Sequence, residues 1–164
     1  MIKIYRKGAV GALLDEYERA ITDLKNCIES IADNSLTIIA DSKTTDENCR
    51  SVQTVLSHVV NSGFGYAISI HNLKGPFMER PEKAFHATIN QYQEDLASVF
   101  SFTENIFSKI EDNELEEFDD SLKIKTRWGQ LYDIEQLTEH AIVHILRHRR
   151  QIEKFKILLD IHNV

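Results

Sequence analysis

The stretch EHAIVHILRHRRQIEKF, residues 139–155, places His140, His144 and His148 at intervals of four and follows the last of them with two arginines and a glutamine. On a helix, residues four apart are neighbours, with about 6 Å between β-carbons, and imidazole nitrogens bind zinc-like ions at about 2.0–2.1 Å. His144 and His148 can therefore share one ion. His140 and His148 are about 12 Å apart along a helix axis, so the three do not comfortably reach the same ion. A further ligand has to come from another helix. His71 and His86 fall off the apolar stripes of their segments, and His162 lies in the terminal tail. His58 remains, in SVQTVLSHVVNSGFGYA, at the edge of a stripe with Ser51, Ser62, Gly65 and Ser69 on its side. Such small neighbours suit either a cavity or close helix packing.

The direction of these rings follows from about 100° of rotation per residue. With Ala141 at zero, Ile134, Leu137, Ile145, Ile152, Phe155 and Leu159 fall within about 40°, which defines a buried seam. His148 lies at about −20°, His144 at about −60° and His140 at about −100°, at the seam's edge. Two imidazoles thus stand where a helical protein is driest. A buried polar ring without a partner costs on the order of 1–3 kcal/mol, so the fold has to supply one. Gln151, at about −80°, is placed to orient one of the histidines, while Arg149 sits at the boundary. Arg147, Arg150 and Lys154 fall on the opposite, solvated face. A lone histidine in a core is more often hydrogen-bonded than metal-bound, and Trp128 and Tyr66, which could line a pocket, more often simply pack. It is the joint constellation that favours a metal.

The elements that must position these residues are helices. Glycine and proline are scarce, six and two in 164 residues, and apolar residues recur every three or four positions along four long segments. The first runs from about Ala9 to Ile31, with Leu13, Tyr17, Ile21, Leu24, Ile28 and Ile31 on one face. LTIIA at 36–40 reads as either extended chain or a helical turn. The second helix is expected to open on a capping box at Thr44 and Glu47 and to bury Val52, Val55, Val59, Gly63, Tyr66 and Ile70. The third is expected to begin at Pro81 and run through Phe85, Ile89, Tyr92, Leu96, Val99 and Ile106 to Ile110. A long connection without helical pattern follows, and the fourth helix opens on a capping box at Asp133 and Gln136 and continues to about Ile161. One domain spanning 1–164, an all-α four-helix bundle, buries these stripes most economically. The lengths of the connections after Ile31 and Ile110 suggest a crossover.

Composition narrows the function classes. With 19 basic and 26 acidic residues the net charge is −7, which repels nucleic-acid backbones. The opening MIKIYRKGAV runs into LLDEYER, which fits neither a signal peptide nor a spanning helix, so a soluble, cytoplasmic protein without a membrane partner is expected. Cys27 and Cys49 read as two reduced thiols.

At this point the chain resembles the DinB/YfiT-like metalloenzyme family. The resemblance covers nearly its whole length: a first long helix, SVQTVLSHVV with its single histidine, a third helix, a long connection, and HAIVHILRHRRQI at the end. Family members carry an H-x-x-x-H pair closing in H-R-G-Q on the last helix and one histidine on the second. HRRQ at 148–151 is similar to that signature, with Arg150 in place of the glycine. The match implies His58, His144 and His148 as metal ligands and leaves His140 outside the ligand set. It also implies an up-up-down-down bundle with a long crossover, a homodimer, and a divalent metal ion, zinc or nickel. Three neutral imidazoles suit other ions too, and availability often decides. Thiol-dependent relatives imply a low-molecular-weight thiol cofactor and a small-molecule electrophile, hence an S-transferase. A metal-dependent hydrolase is the alternative enzyme, and a non-catalytic metal-binding dimeric stress protein the alternative of a different class. A pocket over the open metal position, lined by groups able to hold a thiol cofactor, would favour the enzymes; a filled core there would favour the scaffold.

Overall fold

A computed structural model describes residues 4–160, which places His162 outside the described residues. Four helices dominate it: α1 (Gly8–Ile28), α2 (Val52–His71), α3 (Ile89–Phe107) and α4 (Ile134–Leu158). Two short strands, β1 (Ile124–Lys125) and β2 (Leu131–Tyr132), pair antiparallel within the last connection. Each helix buries most of the stripe that its sequence periodicity marks, while Leu13 and Tyr66 stay half-buried. Tyr17, Ile21, Leu24 and Ile28 of α1 meet Val52, Val55, Leu56 and Val59 of α2, Tyr92, Leu96 and Val99 of α3, and Ala141, Ile145, Ile152 and Phe155 of α4 in one core. Leu159, expected in the seam, is only half-buried because α4 ends one residue earlier.

Cross-helix pairs fix the directions. Asp23 meets Arg149 and the Cys27 carbonyl meets Lys156, so α1 and α4 run the same way. Ser57 meets Tyr92 and Phe64 meets Phe102, so α2 and α3 run together as well. His58 meets His144 while Tyr66 meets His140, so α2 opposes α4. The order is therefore up-down-down-up, which corrects the up-up-down-down order expected from the resemblance. Two parallel neighbours cannot be joined by a hairpin, and the chain has to return along the bundle between them. It does so over residues 78–86. Asn72, Asn61 and Gln53 side chains of α2 and its cap donate in turn to the carbonyls of Met78, Pro81 and His86, at 2.9, 2.8 and 3.0 Å. This strap occupies the place where the third helix was expected to start. Pro81 is outside any helix, Phe85 is exposed, and α3 opens eight residues later at Ile89, capped by Thr88, whose hydroxyl accepts from the Gln91 amide.

The start of α2 is corrected in the same way. Asp46 caps a single 3₁₀ turn at Glu47–Cys49, and α2 opens on a capping box between Ser51 and Thr54. Both sites are hydroxyl or carboxylate caps, but only the later one precedes an uninterrupted apolar stripe. The expected box at the start of α4 forms. The Asp133 carboxylate accepts from the Gln136 amide at 2.8 Å, and Gln136 Oε1 accepts from the Asp133 amide at 3.2 Å. Asp133→Ala removes one of these partners and is expected to cost about 1 kcal/mol, within the roughly 0.5–2 kcal/mol range of N-caps. A urea midpoint equal to that of the wild type would show that the cap contributes nothing. No helix among the described residues is long and apolar enough to cross a membrane.

Candidate metal centre

α2 and α4 run in opposite directions side by side, and where they touch the two helices present three imidazoles to one another. His58 Nε2 is 2.9 Å from His144 Nε2, which is 3.2 Å from His148 Nε2. One ligand atom from each ring falls within 4.8 Å of the others. Ligands held at about 2.0–2.1 Å in a tetrahedral array stand about 3.3 Å apart, so the two shorter separations already match and the remaining pair has to draw in for one ion to reach all three. His148 is buried at 3% exposure, and His58 and His144 are half-buried.

The protons of this cluster do not add up without a cation. Gln151 Nε2 donates to the Cys49 carbonyl at 3.4 Å, which turns Oε1 toward His148 Nδ1, 2.9 Å away. An amide oxygen only accepts, so His148 Nδ1 carries the proton and its neutral Nε2 is a bare lone pair. His144 Nε2 faces that lone pair on one side and His58 Nε2 on the other. If it is protonated, its single proton can be aimed at only one of them. If it is bare, two lone pairs face each other. Either way one of the two contacts lacks a matched donor and acceptor, whereas an ion takes a lone pair from all three rings at once.

Electrostatics holds the rings in the form that coordinates. Burial, reinforced by the neighbouring charges of His148, Lys83 and Arg80, pushes His58 down to about 4. Burial and the other histidines push His144 down further, to about 2. Burial also lowers His148, although its bond to Gln151 opposes the shift. These groups are therefore neutral in the fold at pH values where free histidine, with a pKa near 6.5, is charged. In the unfolded chain they take up protons near 6.5. The stability they contribute is full above about 6.5 and is lost as the pH falls toward His58's value of about 4, because the unfolded state binds more protons throughout that window. In metal-stripped protein, the His58 ring signals in a nuclear magnetic resonance titration are expected to stay at their neutral positions at pH 5.5. A titration centred near 6.5 would contradict the burial described.

The sequence reading placed these residues well. His58, His144 and His148 converge, and Gln151 orients His148. His140 stays one turn away, stacked on Trp128 at 5.0 Å between ring centres and edge-on to Tyr66 at 5.5 Å. His86 pairs with Asp95 at 2.6 Å, and His71 meets the Pro76 carbonyl at 3.1 Å, so neither joins the cluster. Arg147, Arg150 and Lys154 are exposed, so the arginine at 150 points away from the histidines. Arg149 reaches Asp23 of α1 at 3.0 Å. Both cysteines are free, and Cys49 Sγ lies 3.5 Å from the Asp46 carboxylate. Sequence reasoning missed Asp46 and Arg80, whose charges reach His58. Both lie on connections, where helical periodicity carries no signal.

Fold and site together define a class: a four-helix protein with three histidines on two antiparallel helices, close enough together to hold a metal ion. Comparison of the chain with family models, curated proteins and solved structures finds no match.

Proposed function

We propose that this chain is a DinB-like metal-dependent enzyme, in which His58, His144 and His148 hold one divalent ion, zinc or nickel, and that it transfers a low-molecular-weight thiol to an electrophilic small molecule. One observation carries the metal reading: three ring nitrogens converge in two contacts, of which only one can be a hydrogen bond. The thiol step and the homodimer are supported by the resemblance in SVQTVLSHVV and HAIVHILRHRRQI. Held by three neutral imidazoles, a divalent ion would keep its full charge and would supply a Lewis acid that acidifies a thiol or water.

The protein's own part is orientation and exclusion of water. Gln151 fixes the His148 tautomer, and Tyr66 lies edge-on to His144 at 5.7 Å between ring centres. Transfer forms a carbon–sulfur bond as the leaving group departs with its electron pair, and the thiol proton passes to solvent. The cavity that shares Tyr66 with the histidines has none of the three in its lining, and it offers room for a small molecule beside them, which supports the enzyme reading.

The test uses cobalt-substituted protein. Free thiols have a pKa near 8.5, and a neighbouring cation lowers it, so thiol added at pH 7 should bind as thiolate and bring a sulfur-to-metal charge-transfer band that imidazoles alone do not give. Conjugation of that thiol to an electrophile faster than in buffer supports the transferase. Ester or amide turnover without thiol favours the hydrolase, and bound metal that admits no thiol and supports no turnover favours the scaffold.

A further inference from the structure

Two arginines stand beside the histidine centre without acidic partners. The strap lays Arg80 against Gly65 of α2, so closely that a Cβ at position 65 would lie 2.8 Å from the guanidinium carbon. A side chain at position 65 would push the guanidinium out of this seat. Arg80 Nε is buried and has no hydrogen-bond partner. The turn between β1 and β2 brings in Arg127, and both arginines line one cavity of about 390 Å³ together with Tyr66 and Trp128. Glu79 and Lys125 line it too, so the three cations and one carboxylate of the lining leave it net positive. Among the described residues no carboxylate is ion-paired with Arg80 or Arg127. Burial lowers the pKa of Arg80 and the charge of Arg127 lowers it further, as for two cations that face a common space. In a chain of net charge −7, where acids outnumber bases, this is an unusual place to leave positive charge unpaired.

The cavity and the histidines share a wall. None of the three clustered histidines lines the cavity, but Tyr66 does, and its ring is 5.7 Å from that of His144. Trp128 closes another side and stacks on His140. Gly65 follows His58 by seven residues on the same face of α2, which sets Arg80 about 10 Å along the helix from His58.

We infer that Arg80 and Arg127 form an anion subsite, and that the small molecule served by the histidine centre carries a carboxylate or phosphate about 10 Å from its reacting group. Guanidinium forks match either oxyanion with paired hydrogen bonds, and Tyr66 and Trp128 provide flat walls for the body of the molecule. The link to the reacting group rests on the metal reading above; the subsite itself does not.

Trp128 is the single tryptophan, so its emission reports on the cavity. The full chain is titrated with inorganic phosphate and, separately, with succinate, at ionic strength held constant with sodium chloride. A saturable change with either probe is expected, and the more effective probe identifies the oxyanion. Arg80→Gln and Arg127→Gln should each weaken it about tenfold or more, the cost of a lost charge-assisted hydrogen bond. Gly65→Ala, which displaces the guanidinium, should weaken it too. Arg127 is exposed, so its replacement leaves the helices intact, and circular dichroism verifies this. The same titration on His148→Ala separates the two readings: saturation that persists without a bound ion supports the subsite, and saturation that vanishes with the ion overturns it. No saturable change with either probe, or a change that neither arginine variant alters, also overturns it.

Discussion

His148→Ala is expected to leave the purified protein without its divalent ion, where the wild type carries about one equivalent by elemental analysis. His58→Ala and His144→Ala should do the same, because all three Nε2 atoms point into one space. Gln151→Ala tests the support of the ligand itself. Loss of a ligand's hydrogen-bond partner costs roughly 10–100-fold in metal affinity, and removal of a ligand costs more. The four variants should therefore rank, with Gln151→Ala intermediate. His140→Ala should retain the ion, since its ring stacks on Trp128 instead of facing the cluster. Three histidine variants with wild-type metal content would remove the metal reading altogether. Loss of the ion on His140→Ala alone would move the pair one turn toward the start of α4. Acid should release the ion only well below pH 6.5, because His58 and His144 are already held neutral, at about 4 and about 2, before any metal competes with protons.

Ile152→Ala is expected to destabilise the metal-free protein by about 2–5 kcal/mol, the range for truncating a fully buried aliphatic side chain and leaving a cavity. Ile152 has no exposed surface and lies one turn beyond His148, where α4 packs against the shared core. For a domain of this size the total stability is of the order of 5–15 kcal/mol, so one such change is a large share of it. A bound ion acts only on the folded state. At about a thousandfold excess over its dissociation constant it should return about 4 kcal/mol, and urea unfolding with and without added ion measures both effects. Ile157→Ala, five residues on and 81% exposed, should change stability by no more than about 0.5 kcal/mol. A loss below 1 kcal/mol at Ile152 would mean that α4 is not packed as described.

Helix α4 shows why the candidate site is legible in the amino-acid sequence. A 3.6-residue period converts spacing directly into direction, so the placement of His144 and His148 beside Ala141 and Ile145 can be read from the chain alone. The capping box at Asp133 and Gln136 is legible for a similar reason, because it satisfies local donors with residues three apart. His58 is reached by elimination and by the resemblance, and its distance to His144 depends on how α2 packs against α4. The strap shows the limit. Residues 81–86 carry a helix-compatible start, yet Pro81 and His86 give their carbonyls to α2 and the segment stays out of the helix. That outcome depends on partners 20 and 33 residues away, which no local pattern encodes.

By itself, then, the sequence determined four helices, their buried faces and the histidines able to meet, because hydrophobic period and capping are local. Tertiary structure decided the helix directions, the return of the chain along α2, and the cavity beside the histidines. Arg80 comes from the strap, Arg127 from the β1–β2 turn and Tyr66 from α2, three segments far apart in the chain. Their meeting follows from α2 and α3 running parallel, which obliges the connection between them to travel back over α2 and lay its arginine on Gly65.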